Sequence, residues 1–357
     1  MNLAPVLERY TSLCANPHVP GVLVLTSIRA KKELTIEEAV KSREIFSTYD
    51  FARREDHIRY WDSLIEGMRA LLDSHEDIGD DFVPGITLHY GFGAFGAVYC
   101  DVEPIFTQDT SYLPIELMAD WSMANEFYFS PERRWSKIFA EAAAYISEKA
   151  DSAFFIEPYP CPSPLDVVNL LRGNLLFTDF YEYPEELHDF LQKTVGYITD
   201  LTRFLRKGNI SKYGGAFCFG KYIPKGILLL EDAADLCSPE TYRQFGKPYT
   251  DAVIAHFGGA YLHHHSLGRQ QYENMSRLEG LCVQQISSDP GCPRPMTYLD
   301  KIMAAVQNRT ILELECTAEE IFTYAPLLKG GRFILNVACK DREEAREITA
   351  FVRKLQP

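Results

Sequence analysis

Nowhere in this chain do eighteen apolar residues run together, so a membrane-spanning helix is not expected. There is no excess of positive charge either. Thirty-six Lys and Arg face fifty Asp and Glu, a formal charge of −14 that repels a phosphate backbone, and nucleic acid is not an expected partner. The nine cysteines include no CxxC pair and form no small-domain framework, so reduced thiols acting as small buried apolar residues are expected. The opening MNLAPVLERYTSLCANPHVP lacks a basic flank leading into an apolar stretch, which reads as a cytoplasmic protein. No Gly-, Ser- or Pro-rich linker splits the chain, which implies one structural domain.

What is present is a chain of 357 residues, 46% hydrophobic and 24% charged, a balance that removes disordered and coiled-coil classes. The N-terminal part reads as helices: TIEEAVKSREIF, then REDHIRYWDSLIEGMRALLDSH, with Ile58, Trp61, Ile65, Met68 and Leu72 on one face. FVPGITLHY (82–90) reads as a strand running into GFGAFGAVY. The GxGxxG spacing there is not followed by a helix, so a turn built from small residues is expected rather than a dinucleotide loop.

Beyond Ser130, an N-cap followed by Pro131, strands and helices alternate. Helices are expected over 130–150, at PLDVVNLLRG and over 184–208, with apolar strands at 152–158, 215–219, 260–264, 280–287, 309–315 and 332–338. VPGVLVLTS (19–27) supplies an eighth strand. Eight such units predict an α/β fold, a (β/α)8 TIM barrel with additional N-terminal helices, residues 1–80 packing as a helical extension on a barrel over 81–357. A doubly wound open sheet is the alternative, without the phosphate loop that such sheets carry at their first strand.

Reactive groups of a barrel sit at the C-terminal strand ends. There the sequence puts His89 and Tyr90, Glu157, Cys218, His263 to His265, Gln284, Gln285 and Asp289, then Glu313, Glu315 and Cys316, then Asn336 and Cys339, with Glu231 and Asp232 in the loop before Ser238. In a strand His263 and His265 share one side and His264 takes the other, so two imidazoles converge on one metal or substrate group. Glu157, Cys339 or Asp232 would complete a ligand set. Glu157 after AFFI reads as functional, whereas Glu313 and Glu315 read as structural. Cys316, between acidic residues, does not read as a nucleophile.

SPETYRQFGKPY (238–249), AYLHHHSLG (260–268), SRLEGLCVQQISSDP (276–290) and GGRFILNVACKDREEAREITAFVRK (330–354) resemble, in this order, the uroporphyrinogen decarboxylase superfamily. FVPGITLHYGFGAFGAVY, EFYFSPERRWSKIF, SPLDVVNLLRG and Asp232 extend the resemblance upstream, over about residues 80 to 355. It implies a (β/α)8 fold and one of two chemistries. The arginine-rich substrate motif of the true decarboxylases is replaced by YDFARREDHIRYW. The corrinoid-linked, zinc-dependent methyltransferases hold zinc by a His-x-Cys pair and a distant Cys, which His265 and Cys339 match, with Leu267 standing where the middle cysteine would be.

The resemblance therefore implies a methyltransferase-like enzyme with zinc on His265 and Cys339, His263 or Glu157 completing the set. Asp232, Glu157 and His263 would be catalytic and His89, Tyr90 and Gln285 would bind substrate. A corrinoid protein is the implied partner and a homodimer is compatible with it. The alternatives are a cofactor-free decarboxylase of a tetrapyrrole and a non-catalytic tetrapyrrole-binding barrel.

Overall fold

The computed structural model describes residues 3–28, 46–150, 153–207 and 213–355. The helix read at TIEEAVKSREIF lies, but for Phe46, outside the described residues. Helix α1 (Ala4–Ala15) is followed by strand β1 (Gly21–Ile28), and α2 (Arg54–Ser74) buries Trp61 and Ile65 as the spacing predicts. Six parallel strands then carry the frame: β2 (Gly85–Thr87), β3 (Phe155–Glu157), β4 (Ile227–Leu230), β5 (Ala260–His265), β6 (Leu281–Ser287) and β7 (Ile311–Thr317). Strand β8 (Arg332–Cys339) completes it. Among the described residues no helix is long and apolar enough to cross a membrane.

The fold is mixed α/β, centred on a seven-stranded parallel sheet in the order β1, β8, β7, β6, β5, β4 and the two-residue strand Cys161–Pro162. This sheet is not closed: β2 and β3 pair only with each other. Beside β1 the chain supplies side chains in place of a ladder. Asp81 Oδ2 accepts the Val24 N–H at 2.8 Å, Asp80 Oδ2 accepts the Thr26 N–H at 2.9 Å, and the Asp81 N–H donates to Val24 O at 2.7 Å. Buried carboxylates thus satisfy backbone donors that would otherwise be orphaned.

Two expectations are corrected. Residues 215–219 do not form a sheet strand. Ala216–Cys218 folds back on Lys221–Ile223 as an antiparallel hairpin, and the fully buried run Ile227–Leu230 takes the place in the sheet. The hairpin's central residues, Phe219 (φ 47°) and Gly220 (φ 86°), both lie at positive φ, the conformation a two-residue hairpin loop favours. The glycine segment makes a single helical turn over Phe92–Gly96, and it needs a small residue at Gly93, where a Cβ would fall 2.6 Å from the Tyr112 backbone.

Alternation along the strands separates two faces. Leu23, Leu25, Val283, Ile311 and Ile334 pack with α1 and the hairpin. Val22, Val24, Leu312, Leu335, Val337 and Cys339 pack with the helices Leu299–Val306 and Arg342–Arg353. On the first face lies Glu313, with no exposed surface. Its Oε1 meets Lys221 Nζ at 2.6 Å and accepts from Gln285 Nε2 at 3.1 Å and Asn336 Nδ2 at 2.7 Å, and its Oε2 accepts from the Tyr261 hydroxyl.

Lys221→Met removes the only cation that contacts this carboxylate among the described residues and leaves it buried. Urea denaturation is expected to show a loss of about 3–5 kcal/mol, with much of it recovered when Glu313→Gln is added in the same chain. Equal losses in the single and double variants would contradict this.

Candidate metal centre

Strand β5 begins where two backbones meet closely. Gly226 (φ 135°) leaves room that a Cβ would take from the Gly259 carbonyl at 2.5 Å, which lets β4 and β5 start side by side. The alternation of AYLHHH then puts Tyr261, His263 and His265 on the first face and His264 on the second. At the end of β4, the Glu231 N–H donates to His263 O at 3.0 Å, and the chain turns at Asp232. Asp166, in the first turn of the helix Pro164–Arg172, holds that turn by accepting the N–H groups of Asp232 (2.9 Å) and Ala233 (2.7 Å).

Three atoms consequently face one another: His263 Nε2 and His265 Nε2 are 3.3 Å apart, and Asp232 Oδ1 lies 3.8 and 3.5 Å from them. Among the described residues these form the one group of three or more ligating side chains close enough to share a metal ion. The hydrogen-bond network assigns their protons. Gln285 Nε2 donates to Glu313, so Gln285 Oε1 faces His263 Nδ1 at 2.7 Å and accepts its hydrogen. His265 Nδ1 donates to Asp289 Oδ1 at 2.8 Å. With both Nδ1 atoms committed as donors, the Nε2 atoms of the two rings are left facing each other and Asp232. Asp232 Oδ1 is shielded from solvent and has no hydrogen-bond partner among the described residues.

Burial lowers the pKa of His263 against the opposing pull of Asp232, favouring the neutral form that ligates. Acidic groups crowd the surroundings. Burial, then the charges of Asp232 and Glu231, raise Asp166 well above the carboxylate range. Glu231, accepting from Ser163, Thr250 and Tyr242, is pushed up by burial to about 7. Asp235 is pushed up to about 8, by burial first and then by Asp232 and Asp289. Asp289 is the contrary case. Burial would raise it, but the Leu267 N–H, the Ser266 hydroxyl and His265 together lower it.

A cleft of about 310 Å³, lined by Leu25, Phe82, Thr87, Phe217, Phe219 and Asn336 among others, none of them Lys or Arg, has none of the three ligating residues in its lining and approaches them through Phe219. Phe219, half-buried in the hairpin turn, presents its ring edge-on to His263 with centroids 6.0 Å apart, so it separates cleft and imidazole. A larger cavity of about 610 Å³, between α1 and the end of α2, has none of the three ligating residues in its lining.

The other expected residues lie elsewhere. Cys339 is on the second face, packed with Val337 and the C-terminal helix, because it is an even number of residues from Val337 and Leu335. Glu157 is buried against Arg206, 3.3 Å away, and its pKa is raised by burial despite that partner. Tyr90 is enclosed by Trp61, His57 and Trp135, and His89 takes the Gly91 N–H on Nδ1. Gln285 is beside the group, holding His263. Asp289, read from the sequence as a strand-end group, holds His265, whereas Lys221 and Phe219 are neighbours that motif reading did not select. No protein-family model matches the chain, and no curated protein does.

His264 accepts from Gln284 Nε2 at 3.0 Å, and burial drives its pKa down to about 3. The unfolded chain takes up this proton near pH 6.5 while the folded chain refuses it, so stability falls as pH drops from about 6.5 toward about 3. The urea midpoint is expected to fall between pH 7 and 5, and His264→Leu is expected to flatten that fall. An unchanged slope in the variant would remove His264 as its source.

Proposed function

We propose that this chain is a metal-dependent enzyme on a (β/α)8 frame, with Asp232, His263 and His265 holding one divalent ion, zinc by preference, beside the cleft. The observation that carries this reading is the convergence of two imidazole nitrogens and a carboxylate oxygen within 3.8 Å of one another, the oxygen solvent-shielded and without a hydrogen-bond partner among the described residues. Bonds of about 2.0–2.2 Å in tetrahedral geometry put ligand atoms roughly 3.3–3.6 Å apart, close to the separations found here. Two neighbours fix the rings as outer-shell partners of metal-bound histidines do, Asp289 on His265 and Gln285 on His263. For the frame, the parallel β2–β3 pair, together with the neighbour order β1, β8, β7, β6, β5, β4, supports the eight-stranded reading.

When bound, such an ion supplies Lewis acidity and lowers the pKa of a thiol or water beside it. The chain's own groups set the rest. Phe219 screens His263 from the cleft side, and Thr87 and Asn336 offer neutral hydrogen-bonding groups among apolar walls. The resemblance of the sequence to thiol methyltransferases makes transfer to a thiol the leading reaction, with a corrinoid protein as methyl source. The ligand set differs from that family's, for it contains no thiolate. Decarboxylation of a tetrapyrrole bearing many carboxylates is the weaker reading, because the lining of the cleft includes no Lys or Arg to balance such a substrate's charge.

Protein purified without a histidine tag and refolded with zinc is expected to hold near-stoichiometric metal by elemental analysis. Asp232→Asn, His263→Ala and His265→Ala are expected to lose it, Asp289→Asn to weaken it about 10–100-fold, and Cys339→Ala to retain it. Metal-free parent protein under excess zinc rejects the site.

In an anaerobic assay, authentic uroporphyrinogen is expected not to be decarboxylated at the rate of a typical enzyme, about 1 per second or more. Turnover at that level would favour the tetrapyrrole reading.

A further inference from the structure

Cys14 and Cys282 are 268 positions apart in the chain, yet their sulfur atoms are 2.6 Å apart. Cys14 is in the last turn of α1, and Cys282 is at the start of β6. The approach has a local cause. Against β5, Ala260 pairs with Leu281 and Tyr261 with Val283, so Cys282 is the extra residue of a β-bulge. A bulge re-aims side chains, and here both Cys282 and Val283 pack toward α1 and the first-face core. Both cysteines are partly exposed, so a small oxidant reaches them.

A cation stands beside the pair. Arg332, the first residue of β8, donates from Nη2 to Leu13 O at 2.6 Å, while its buried Nε has no hydrogen-bond partner among the described residues. Arg332 also acts electrostatically on both sulfurs, drawing the Cys14 thiol down against the larger upward push of the Cys282 sulfur and of burial. The remaining seven cysteines form no comparable pair among the described contacts, and most are enclosed in the core.

We infer that Cys14 and Cys282 are a redox site, closed by a peroxide to a disulfide that ties α1 to the base of the sheet. One thiolate attacks a peroxide oxygen, the O–O bond breaks, and water leaves after protonation, giving a sulfenic acid. The second thiol displaces the sulfenic oxygen as water, forming the S–S bond. The two thiols lose two electrons and two protons in all, and hydrogen peroxide becomes two waters. Helix α1 is the element held. It brings Leu3, Val6, Leu7, Tyr10 and Leu13 to the first-face core, so closure fixes the floor beneath the Glu313 network.

The test uses the full chain, reduced and then treated with hydrogen peroxide. Thiols counted in denaturant are expected to fall from the nine of the sequence by two, to seven. Peptide mapping without reductant is expected to join the Cys14 and Cys282 peptides, and the thermal midpoint to rise on oxidation. Cys14→Ser and Cys282→Ser are each expected to abolish both the joined peptide and the shift. The mapping on the parent needs no variant to fold. Nine surviving thiols, a bond mapped to other cysteines, or a bond between two chains would each overturn the inference.

Discussion

Burying the Glu313 carboxylate is the constraint from which the rest of the first face follows. An ionised group with no exposed surface must have its charge matched and its lone pairs occupied, at a cost of several kcal/mol otherwise. The partners come from four places: Lys221 from the hairpin, Tyr261 from β5, Gln285 from β6 and Asn336 from β8. One carboxylate therefore fixes the level at which these elements meet. It also decides a proton further away. With its NH2 committed to Glu313, the Gln285 amide has only its oxygen to offer His263, and His263 must then carry hydrogen on Nδ1. The Nε2 left facing Asp232 is a consequence of the buried charge two side chains away.

At the strand ends the electrostatics run the other way. Around Glu313 a cation answers the carboxylate, while around Asp232 carboxylates accumulate with no Lys or Arg among their hydrogen-bond partners. Asp166, Glu231 and Asp235 respond by holding their protons more tightly, whereas Asp289, fed by the Leu267 N–H and the Ser266 hydroxyl, stays ionised and orients His265. The two kinds of acid have separate tasks. The proton-holding group braces the turn that aims Asp232, and the ionised one supports the ring that shares its focus. A positive charge placed among Asp232, His263 and His265 is what this arrangement leaves to be supplied.

Much of the site was legible because its carriers are periodic. The period of two puts His263 with His265 and sets His264 apart, and Asp232 after a run of apolar residues falls at a strand end as read. The same period places Cys339 on the other face, and the family resemblance, which attends to order along the chain, outweighed it. Lys221 and Phe219 were not legible, because a strand-like run, GAFCF, was read as part of the sheet when it is half of a hairpin. Two positive-φ residues at the turn are the physical distinction. Gly220 advertises one of them, while Phe219 is a residue type that rarely accepts such a backbone. For the frame, most of the sheet strands were readable from apolar runs, but Ile227–Leu230 was not, and the bonds of Asp80 and Asp81 to β1 come from side chains of an irregular segment without a period.

The places where the chain departs from regular strand geometry are also where its chemistry gathers. The turn that strains Phe219 sets its ring between cleft and His263 and brings Lys221 to Glu313 from the same hairpin. The bulge at Cys282 spends one residue of ladder and gains a sulfur aimed at α1. Neither departure improves local packing on its own, since positive φ at a bulky residue and a broken ladder both cost free energy. Each persists because a neighbour at long sequence separation, Glu313 in one case and the α1 surface in the other, is satisfied only by that irregular backbone. The hairpin and the bulge both reach the first-face core that α1 covers, so the Asp232, His263 and His265 group and the cysteine pair are anchored to one packed layer rather than to separate loops.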